Sequence, residues 1–126
     1  MRVKDIIGKT KNSVDMKKNI ANIVKHADVS EKMIERYLCD SVKQMGGVCL
    51  KYSNAGMVGY PDRIVMLPGG WTVWVELKSK GKKLTYLQSL RYEVLKGIGQ
   101  RVYVADSRDK VDEIINDWRK SYENKM

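Results

Sequence analysis

The chain has 126 residues, 43% of them hydrophobic and 31% charged, values that are typical of one globular domain. Its 24 Lys and Arg against 15 Asp and Glu give a net charge of +9, which favours a polyanionic partner such as nucleic acid over a surface charged only for solubility. With His26 as the single histidine, Ser-His-Asp triads and multi-histidine metal sites are nearly excluded, and no apolar run is long enough to cross a membrane. Acid–base or metal chemistry must therefore use carboxylates and lysines.

Residues 1–29 form a polar segment with seven Lys or Arg against three Asp. We interpret it as a basic N-terminal extension, which either serves dimerisation or DNA contact or forms a loosely packed tail. Residues 30–126 make up the folded domain. Within that domain, Cys39 and Cys49 match neither a disulfide framework nor a paired-cysteine zinc site, so we expect them to fill core space in a reducing cytoplasm.

Ser30 predicts the N-cap of a helix over residues 31–45. Apolar residues recur along this helix at helical spacing and form one stripe, made up of Ile34, Tyr37, Leu38, Val42 and Met45. At 100° per residue, Glu31 falls inside the stripe and Glu35 lies on its edge. Either carboxylate is therefore able to point towards the sheet that follows.

Three strands are predicted next, over residues 48–54, 62–67 and 72–79, the last two joined as a hairpin by a Pro-Gly-Gly turn at 68–70. Glycine residues after the first helix and a glycine-containing loop after the first strand separate these elements. The order of the first half is thus one helix followed by three strands.

The second half continues with a helix, a strand and a helix. Thr85 and Gln88 form a capping-box pattern for a helix that runs to about Lys96. A fourth strand follows at residues 101–105, and the last helix begins near Asp109 and buries one stripe, composed of Val111, Ile114, Ile115 and Trp118. Because a helix connects the third and fourth strands, we expect them to be parallel, which predicts an α/β fold with a sheet of mixed direction covered by helices.

The third strand carries two charged residues on one face. Side chains two apart on a strand share a face, so Glu76 and Lys78 point the same way, and burying them costs several kcal/mol per ion unless each is paired. One interpretation is a mutual salt bridge at the end of the sheet. The other involves Asp62, which directly follows Pro61: pairing of the second and third strands brings it to the same end. Two carboxylates and a lysine then converge at one edge.

Such a trio is suited to phosphodiester hydrolysis without histidine. Carboxylate oxygens favour Mg²⁺ or Mn²⁺, which keep coordination positions for water and phosphate. The metal lowers the pKa of bound water and neutralises charge on the phosphoryl oxygens, and a lysine orients the water or stabilises the developing charge.

Pro61-Asp62, thirteen residues, then Glu76-Leu77-Lys78 resembles the PD-(D/E)XK nuclease signature. The wider segments "GYPDRIV", "VELKS", "KKLTYLQ" and "GQRVYVAD" resemble the VRR-NUC branch, in its compact standalone form from phages and bacteria, over about residues 30–118. The resemblance implies a restriction-endonuclease-like core, in which a mixed central sheet is flanked by helices.

The resemblance also implies roles for individual residues. Asp62 and Glu76 become ligands of Mg²⁺ or Mn²⁺, joined by the backbone carbonyl of Leu77, and Lys78 becomes the catalytic lysine. A glutamate from the first helix is expected at the metal, directly or through water.

For that glutamate, the helical wheel favours Glu31 over Glu35, although Glu31 also suits a helix N-terminus for electrostatic reasons alone. Gln88 matches the family's helix glutamine, near the lysine or the scissile phosphate. Its alternative role is the capping box with Thr85, and both roles are compatible.

Several polar residues are candidates for binding DNA phosphates, a kind of contact that positions DNA without reading its sequence. Those after the catalytic strand are Lys80, Lys82 and Lys83, and those near the glycine-containing loop are Lys51, Ser53 and Asn54. A solvated basic loop is the alternative interpretation of the three clustered lysines. We expect recognition of DNA shape, not of base sequence.

By resemblance to small dimeric Holliday-junction resolvases, the leading hypothesis is a homodimeric, Mg²⁺- or Mn²⁺-dependent endonuclease of branched DNA, located in the cytoplasm of a bacterial or phage-infected cell. A two-fold homodimer supplies the two active sites that paired cuts require. A flap or nicking nuclease with the same site is the near alternative. A catalytically silent basic DNA-binding module, whose charged trio is only an ion network, is the alternative from another class.

Overall fold

The computed structural model describes residues 31–125 of the chain, so the predicted N-cap at Ser30 and the segment 1–29 lie outside the described residues. The elements, in chain order, are α1 (residues 31–44), β1 (Val48–Lys51), β2 (Arg63–Leu67), β3 (Trp71–Leu77), α2 (Tyr86–Gly97), β4 (Val102–Ala105) and α3 (Arg108–Lys125). The predicted order of helix, three strands, helix, strand and helix is confirmed. None of the helices within residues 31–125 is long and apolar enough to cross a membrane.

The four strands form one sheet in the order β1-β2-β3-β4. β2 pairs antiparallel with both of its neighbours, and β3 pairs parallel with β4. The predicted hairpin, in which Leu67 pairs with Trp71 across the turn, and the predicted parallel crossover through a helix are both confirmed. The sheet is therefore mixed, as expected for a short hairpin followed by a helical connection.

One face of the sheet packs against α1 and α3 and holds the main core. Alternate residues of β3 point into it, because side chains on a strand alternate between faces. The buried core residues of the strands are Val65, Leu67, Trp71, Val73, Val75, Leu77 and Ala105. The helices contribute Ile34, Leu38 and Val42 from α1, and Val111, Ile114, Ile115 and Trp118 from α3. Both predicted helical stripes are thus confirmed, with Tyr37 and Met45 at the margin of the core.

The opposite face of the sheet holds the remaining helix. Gln88 on α2 is hydrogen-bonded to Glu76 on β3, which places the start of α2 on the face that Val73 and Val75 do not use. Leu95 is the buried residue of this helix. At the β1–β2 side of this face the sheet is partly open, since Val48 and Leu50 are exposed.

β1 is shorter than predicted: it ends at Lys51, whereas the sequence suggested a strand over residues 48–54. The chain turns at Asn54, whose side-chain oxygen accepts hydrogen bonds from the backbone amides two and three residues later, so the segment from Asn54 onward does not continue the strand. Before the strand, Gly47 is required by close packing. A Cβ atom at this position would lie 2.4 Å from the carbonyl oxygen of Met66.

Candidate active site

Glu76 is a buried carboxylate on a central strand of the sheet. Its exposed fraction is 4%, and it lies between Val75 and Leu77, which point into the core on the opposite face. A charged group in this position would be costly unless other groups compensate it. The side chains that surround Glu76 therefore decide whether the position is structural or functional.

Asp62 lies at the same end of the sheet as Glu76. The residue follows Pro61, which is buried, and precedes β2. Its side-chain oxygen Oδ2 accepts a hydrogen bond of 2.9 Å from the backbone N–H of Leu77, while its carbonyl accepts one of 2.8 Å from the N–H of Tyr52. Asp62 is thus fixed between the end of β1 and the end of β3, as the predicted hairpin register required.

The pKa of Glu76 is raised from 4.5 to about 8. Burial is the largest cause, followed by the negative charge of Asp62 and a hydrogen bond with its carboxyl group; the Glu31 carboxylate adds a smaller repulsion, and the Lys78 ammonium opposes the shift. Two carboxyl groups close together in a poorly solvated place cannot both ionise easily. At neutral pH the Glu76 carboxyl group therefore favours its protonated form, unless a bound cation takes the place of the proton.

Lys78 lies directly beyond β3 and is half-buried. Its backbone N–H donates a 3.1 Å hydrogen bond to the carbonyl of Ala105, which continues the pairing with β4. The ammonium is near enough to Glu76 to act on its pKa, but the two side chains do not form an ion pair among the described residues. A mutual salt bridge, the alternative interpretation of the sequence, is therefore absent from the described part of the chain.

Gln88 connects the candidate site to the start of α2. Its side-chain carbonyl accepts a 2.9 Å hydrogen bond from the N–H of Thr85, and the Thr85 hydroxyl accepts one of 3.2 Å from the N–H of Gln88. The predicted capping box is therefore present. At the same time, the amide nitrogen of Gln88 donates a 3.3 Å hydrogen bond to Oε2 of Glu76. One side chain thus caps the helix and contacts the buried carboxylate.

The two glutamates of α1 have different surroundings. Glu35 accepts hydrogen bonds of 3.0 Å and 2.9 Å from Nε and Nη2 of Arg63, so its carboxylate is already paired. Glu31 is exposed, and its charge contributes to the raised pKa of Glu76. The Arg63–Glu35 pair was not foreseen from the sequence, although Arg63 directly follows Asp62 and begins β2.

The donor groups at the site fit a hard divalent cation. Asp62 and Glu76 supply carboxylate oxygens, and their mutual repulsion, visible in the raised pKa of Glu76, is the kind that a bound cation relieves. Among residues 31–125, no group of three or more His, Cys, Asp or Glu side chains is arranged to hold a metal ion. The candidate ligands are the two carboxylates, together with the Leu77 carbonyl that the family resemblance implies, and such a set leaves positions for water and phosphate.

The predicted DNA-contacting residues lie on two loops beside the site. Lys80, Lys82 and Lys83 are exposed on the loop between β3 and α2, and Lys51 and Ser53 are exposed at the end of β1 and in the loop after it. Asn54 differs, because its side chain bonds within the loop, with the amide nitrogen donating to the hydroxyl of Tyr52.

An aromatic group was missed by the sequence analysis. The rings of Tyr52 and Tyr60 pack against Trp74, with centroid distances of 5.1 Å and 6.2 Å, and the Arg91 guanidinium lies 5.1 Å from the Tyr60 ring centroid. Trp74 is two residues before Glu76 and shares its face. Trp74 on the charged face of β3 could have indicated an aromatic cluster, but Tyr52 and Tyr60 lie 14 or more residues away in the sequence.

The cysteines lie side by side, with Sγ atoms of Cys39 and Cys49 3.2 Å apart and both residues half-buried. Cys49 packs against the core, as expected for a space-filling residue. Burial, followed by the neighbouring Cys39, raises the pKa of Cys49 to about 12, which keeps this thiol protonated.

The fold and the cluster of Asp62, Glu76 and Lys78 at one end of the sheet define a restriction-endonuclease-like α/β protein of the PD-(D/E)XK class. A solved structure described as "VRR_NUC domain" superimposes with a TM-score of 0.65 and 31% identity, covering 69% of this chain and 95% of that one. The phage protein "Putative nuclease p44" of Acyrthosiphon pisum secondary endosymbiont phage 1 is 38% identical over 81 residues, 64% of this chain and 87% of that protein. A scan against protein-family models finds no match. The chain belongs to the VRR-NUC family.

Proposed function

We propose that this protein is a divalent-metal-dependent endonuclease that hydrolyses phosphodiester bonds in branched DNA. The observation that carries the proposal is the buried Glu76, whose pKa is raised to about 8 by burial and by the adjacent Asp62. A carboxylate pair with this electrostatic cost is unfavourable for the fold alone, since an apolar residue would stabilise this position better. Such a pair is favourable where a cation binds.

The residues of the site have separate tasks in this reaction. Asp62 and Glu76, with the Leu77 carbonyl, would hold Mg²⁺ or Mn²⁺, which supplies charge neutralisation at the phosphate and a more acidic bound water. Lys78 orients the attacking water or stabilises the negative charge that develops on the phosphoryl oxygens. Gln88 fixes the Glu76 carboxylate through its 3.3 Å hydrogen bond.

We assign the auxiliary carboxylate on α1 to Glu31 in preference to Glu35. Glu35 is paired with Arg63 at 2.9 Å, and releasing it would leave a half-buried guanidinium without its carboxylate partner. Within residues 31–125, Glu31 forms no such ion pair, and its charge acts on Glu76. Its contribution is expected through water, because the side chain is exposed.

The basic loops support a nucleic-acid substrate. Exposed lysines at positions 80, 82 and 83 follow the candidate catalytic strand, and the net charge of the chain is +9. These cations bind phosphates, which fixes the position of DNA without reading its bases. A homodimer with two-fold symmetry would present two sites for paired cuts at a four-way junction, in the cytoplasm of a bacterial or phage-infected cell.

A comparison of two lysines tests the proposal. Lys78→Met is expected to abolish cleavage of a labelled four-way junction in Mn²⁺ or Mg²⁺, whereas Lys80→Met, two residues later, should only weaken binding and reduce its salt dependence by about one phosphate contact. Glu76→Gln should also abolish cleavage while junction binding in Ca²⁺ remains. Wild-type cleavage rates in the Lys78 or Glu76 variant would refute the assigned site.

The substrate and the oligomeric state need a second experiment. Junction, flap, fork and plain duplex DNA are incubated with the protein in Mn²⁺, and the products are sized while sedimentation measures the oligomer. Paired cuts by a dimer support junction resolution, and single cuts by a monomer support the flap or nicking alternative. No cleavage of any substrate would favour the silent DNA-binding module.

A further inference from the structure

The loop that joins β1 to β2 exposes two apolar side chains at its tip. Met57 is 47% exposed and Val58 is 56% exposed. Side chains at these exposures contribute little to the core, and the residues that flank the pair directly are both glycines, Gly56 and Gly59. They immediately precede the Gly-Tyr-Pro segment that leads into Asp62.

The backbone of the tip is held on both sides of the exposed pair. On one side, Oδ1 of Asn54 accepts a 3.1 Å hydrogen bond from the N–H of Met57. On the other side, Nε of Arg91 on α2 donates a 2.9 Å hydrogen bond to the carbonyl of Val58. The two apolar side chains are therefore presented to solvent by a fixed backbone, which lowers the entropy lost when they meet a partner.

Close packing against α2 fixes the residue after the tip. Gly59 has a φ of +99°, and a Cβ atom there would lie 2.8 Å from a side-chain carbon of Leu87. The next residue, Tyr60, packs against Trp74 and lies under the guanidinium of Arg91. The tip is thus anchored to the same face of the sheet that carries the candidate catalytic residues.

A small recess accompanies the tip. Its volume is about 180 Å³, and its lining includes Tyr52, Ser53, Asn54, Met57, Val58 and Tyr60. Its lining combines aromatic rings and apolar side chains with the polar groups of Ser53 and Asn54, a combination that allows contact with the face of a nucleobase. Ser53 and Asn54, which are also candidate phosphate contacts, belong to this lining, and Lys51 precedes it in the chain.

We propose that Met57 and Val58 act as a wedge that contacts unstacked bases at the branch point of the DNA substrate, a specificity that rests on the nuclease function proposed above. Apolar side chains insert between base steps in many DNA-binding proteins, and insertion costs least where bases are already unpaired. Continuous duplex DNA has no such base faces to offer. The wedge therefore favours branched over linear DNA, while the lysines bind both.

The test compares two exposed apolar pairs on the same protein. Met57→Ser/Val58→Ser removes the wedge, and Leu90→Ser/Val94→Ser removes a pair of similar exposure, 43% and 50%, on α2. Binding is measured in Ca²⁺ on a four-way junction with 2-aminopurine at the branch point and on linear duplex of equal length. Sedimentation of each variant reports the oligomeric state.

The wedge predicts that the wild-type protein raises 2-aminopurine fluorescence at the branch and that the Met57/Val58 variant does not. The variant should bind the junction about tenfold more weakly and the duplex with unchanged affinity, whereas the Leu90/Val94 variant keeps both the fluorescence change and the preference. Because fluorescence and binding are measured without cleavage, they test the wedge separately from the nuclease activity. A wild-type protein that cleaves no DNA would overturn the nuclease proposal, and the binding data would still show whether the wedge exists.

Two outcomes overturn the wedge. Equal losses on junction and duplex would mean that the tip contacts the DNA backbone only. Dissociation of a dimer by Met57→Ser/Val58→Ser, with junction preference restored at high protein concentration, would mean that the tip is covered by a second copy of the chain.

Discussion

The two faces of β3 differ more than any other two neighbouring regions of this protein. On one face, Val73 and Val75 are fully buried against the helices α1 and α3. On the other face, Glu76 is also buried but is surrounded by Asp62, Lys78 and the amide of Gln88. The same seven-residue strand thus supports a dry core and a charged site.

This difference separates the residues that stabilise the fold from the residues assigned to the proposed reaction. The apolar face lowers the free energy of folding through burial, about 25 cal/mol per Å² of apolar surface. The charged face raises it, because Glu76 is held where its ionised form is unfavourable. Substitutions on the two faces should therefore have opposite effects on stability and activity, and this contrast can be tested in four ways.

The largest effect is expected from Asp62→Asn. The asparagine oxygen can still accept the hydrogen bond from Leu77, so the fold should persist, but the charge needed by a cation is lost. Cleavage in Mn²⁺ should fall at least about a thousandfold, roughly 4 kcal/mol of transition-state stabilisation, as measured by initial rates on a labelled junction. Asp109→Asn, an exposed carboxylate in the first turn of α3, is the matched control and should cut normally.

The second effect is a pH dependence of stability in the metal-free protein. Because the pKa of Glu76 is about 8 in the folded state and near 4.5 when unfolded, the folded protein retains a proton that the unfolded chain releases between these values. The contribution of Glu76 therefore becomes less favourable as pH rises from about 5 to about 8, by an amount on the order of a few kcal/mol. Urea unfolding at several pH values measures it.

Glu76→Gln removes the titrating group and provides the control for that experiment. The variant should be more stable than wild type at pH 8 and should lack the Glu76 part of the slope. Addition of Mn²⁺ to the wild-type protein should flatten the slope, because a cation replaces the proton. An identical slope in wild type and Glu76→Gln would show that Glu76 ionises normally.

A third, smaller effect concerns the dry face. Val75→Ala removes two buried methyl groups and should lower the free energy of unfolding by about 2 kcal/mol, from roughly 0.8 kcal/mol per methylene plus a cavity term. Denaturant melts measure the loss, and Thr72→Ala, exposed on the same strand, should change little. Cleavage below the melting range should keep its metal requirement and its pH profile. A changed pH profile would mean that the faces are coupled.

The smallest effect distinguishes the two glutamates of α1. Glu31→Gln should slow cleavage about tenfold, close to 1.4 kcal/mol, with only a small loss of stability, about 0.3 kcal/mol, from the charge removed at the start of α1. Glu35→Gln should leave the rate within about twofold and lower stability by roughly 1 kcal/mol or more, since it weakens the half-buried pair with Arg63. A reversed pattern in parallel rates and melts would assign the auxiliary role to Glu35.

The sequence predicted those features that depend on short-range patterns. The hairpin through residues 68–70 and the capping box at Thr85 and Gln88 were confirmed, because turn residues and cap spacings act within a few positions. The parallel pairing of β3 and β4 followed from chain connectivity.

What the sequence could not give were contacts between side chains distant along the chain. The ion pair of Glu35 with Arg63 and the neighbouring thiols of Cys39 and Cys49 each join a residue of α1 to a residue of the sheet. Such pairs depend on the packing angle of the helix, which local periodicity does not determine. The different end of the first strand has a local cause instead. Asn54 forms a turn with its side chain, but the sequence-based prediction included it in the strand because apolar residues precede it.

The double use of the Gln88 amide links helix fraying to chemistry. Terminal turns of helices open and close far faster than whole domains unfold. When the first turn of α2 opens at Thr85, the Gln88 amide would lose its hydrogen bond to Glu76, and water would solvate that carboxylate instead. If the proposed site is correct, warming should reduce cleavage at temperatures where calorimetry still records a folded domain, and substitutions that stabilise the first turn of α2 should raise the temperature up to which cleavage continues.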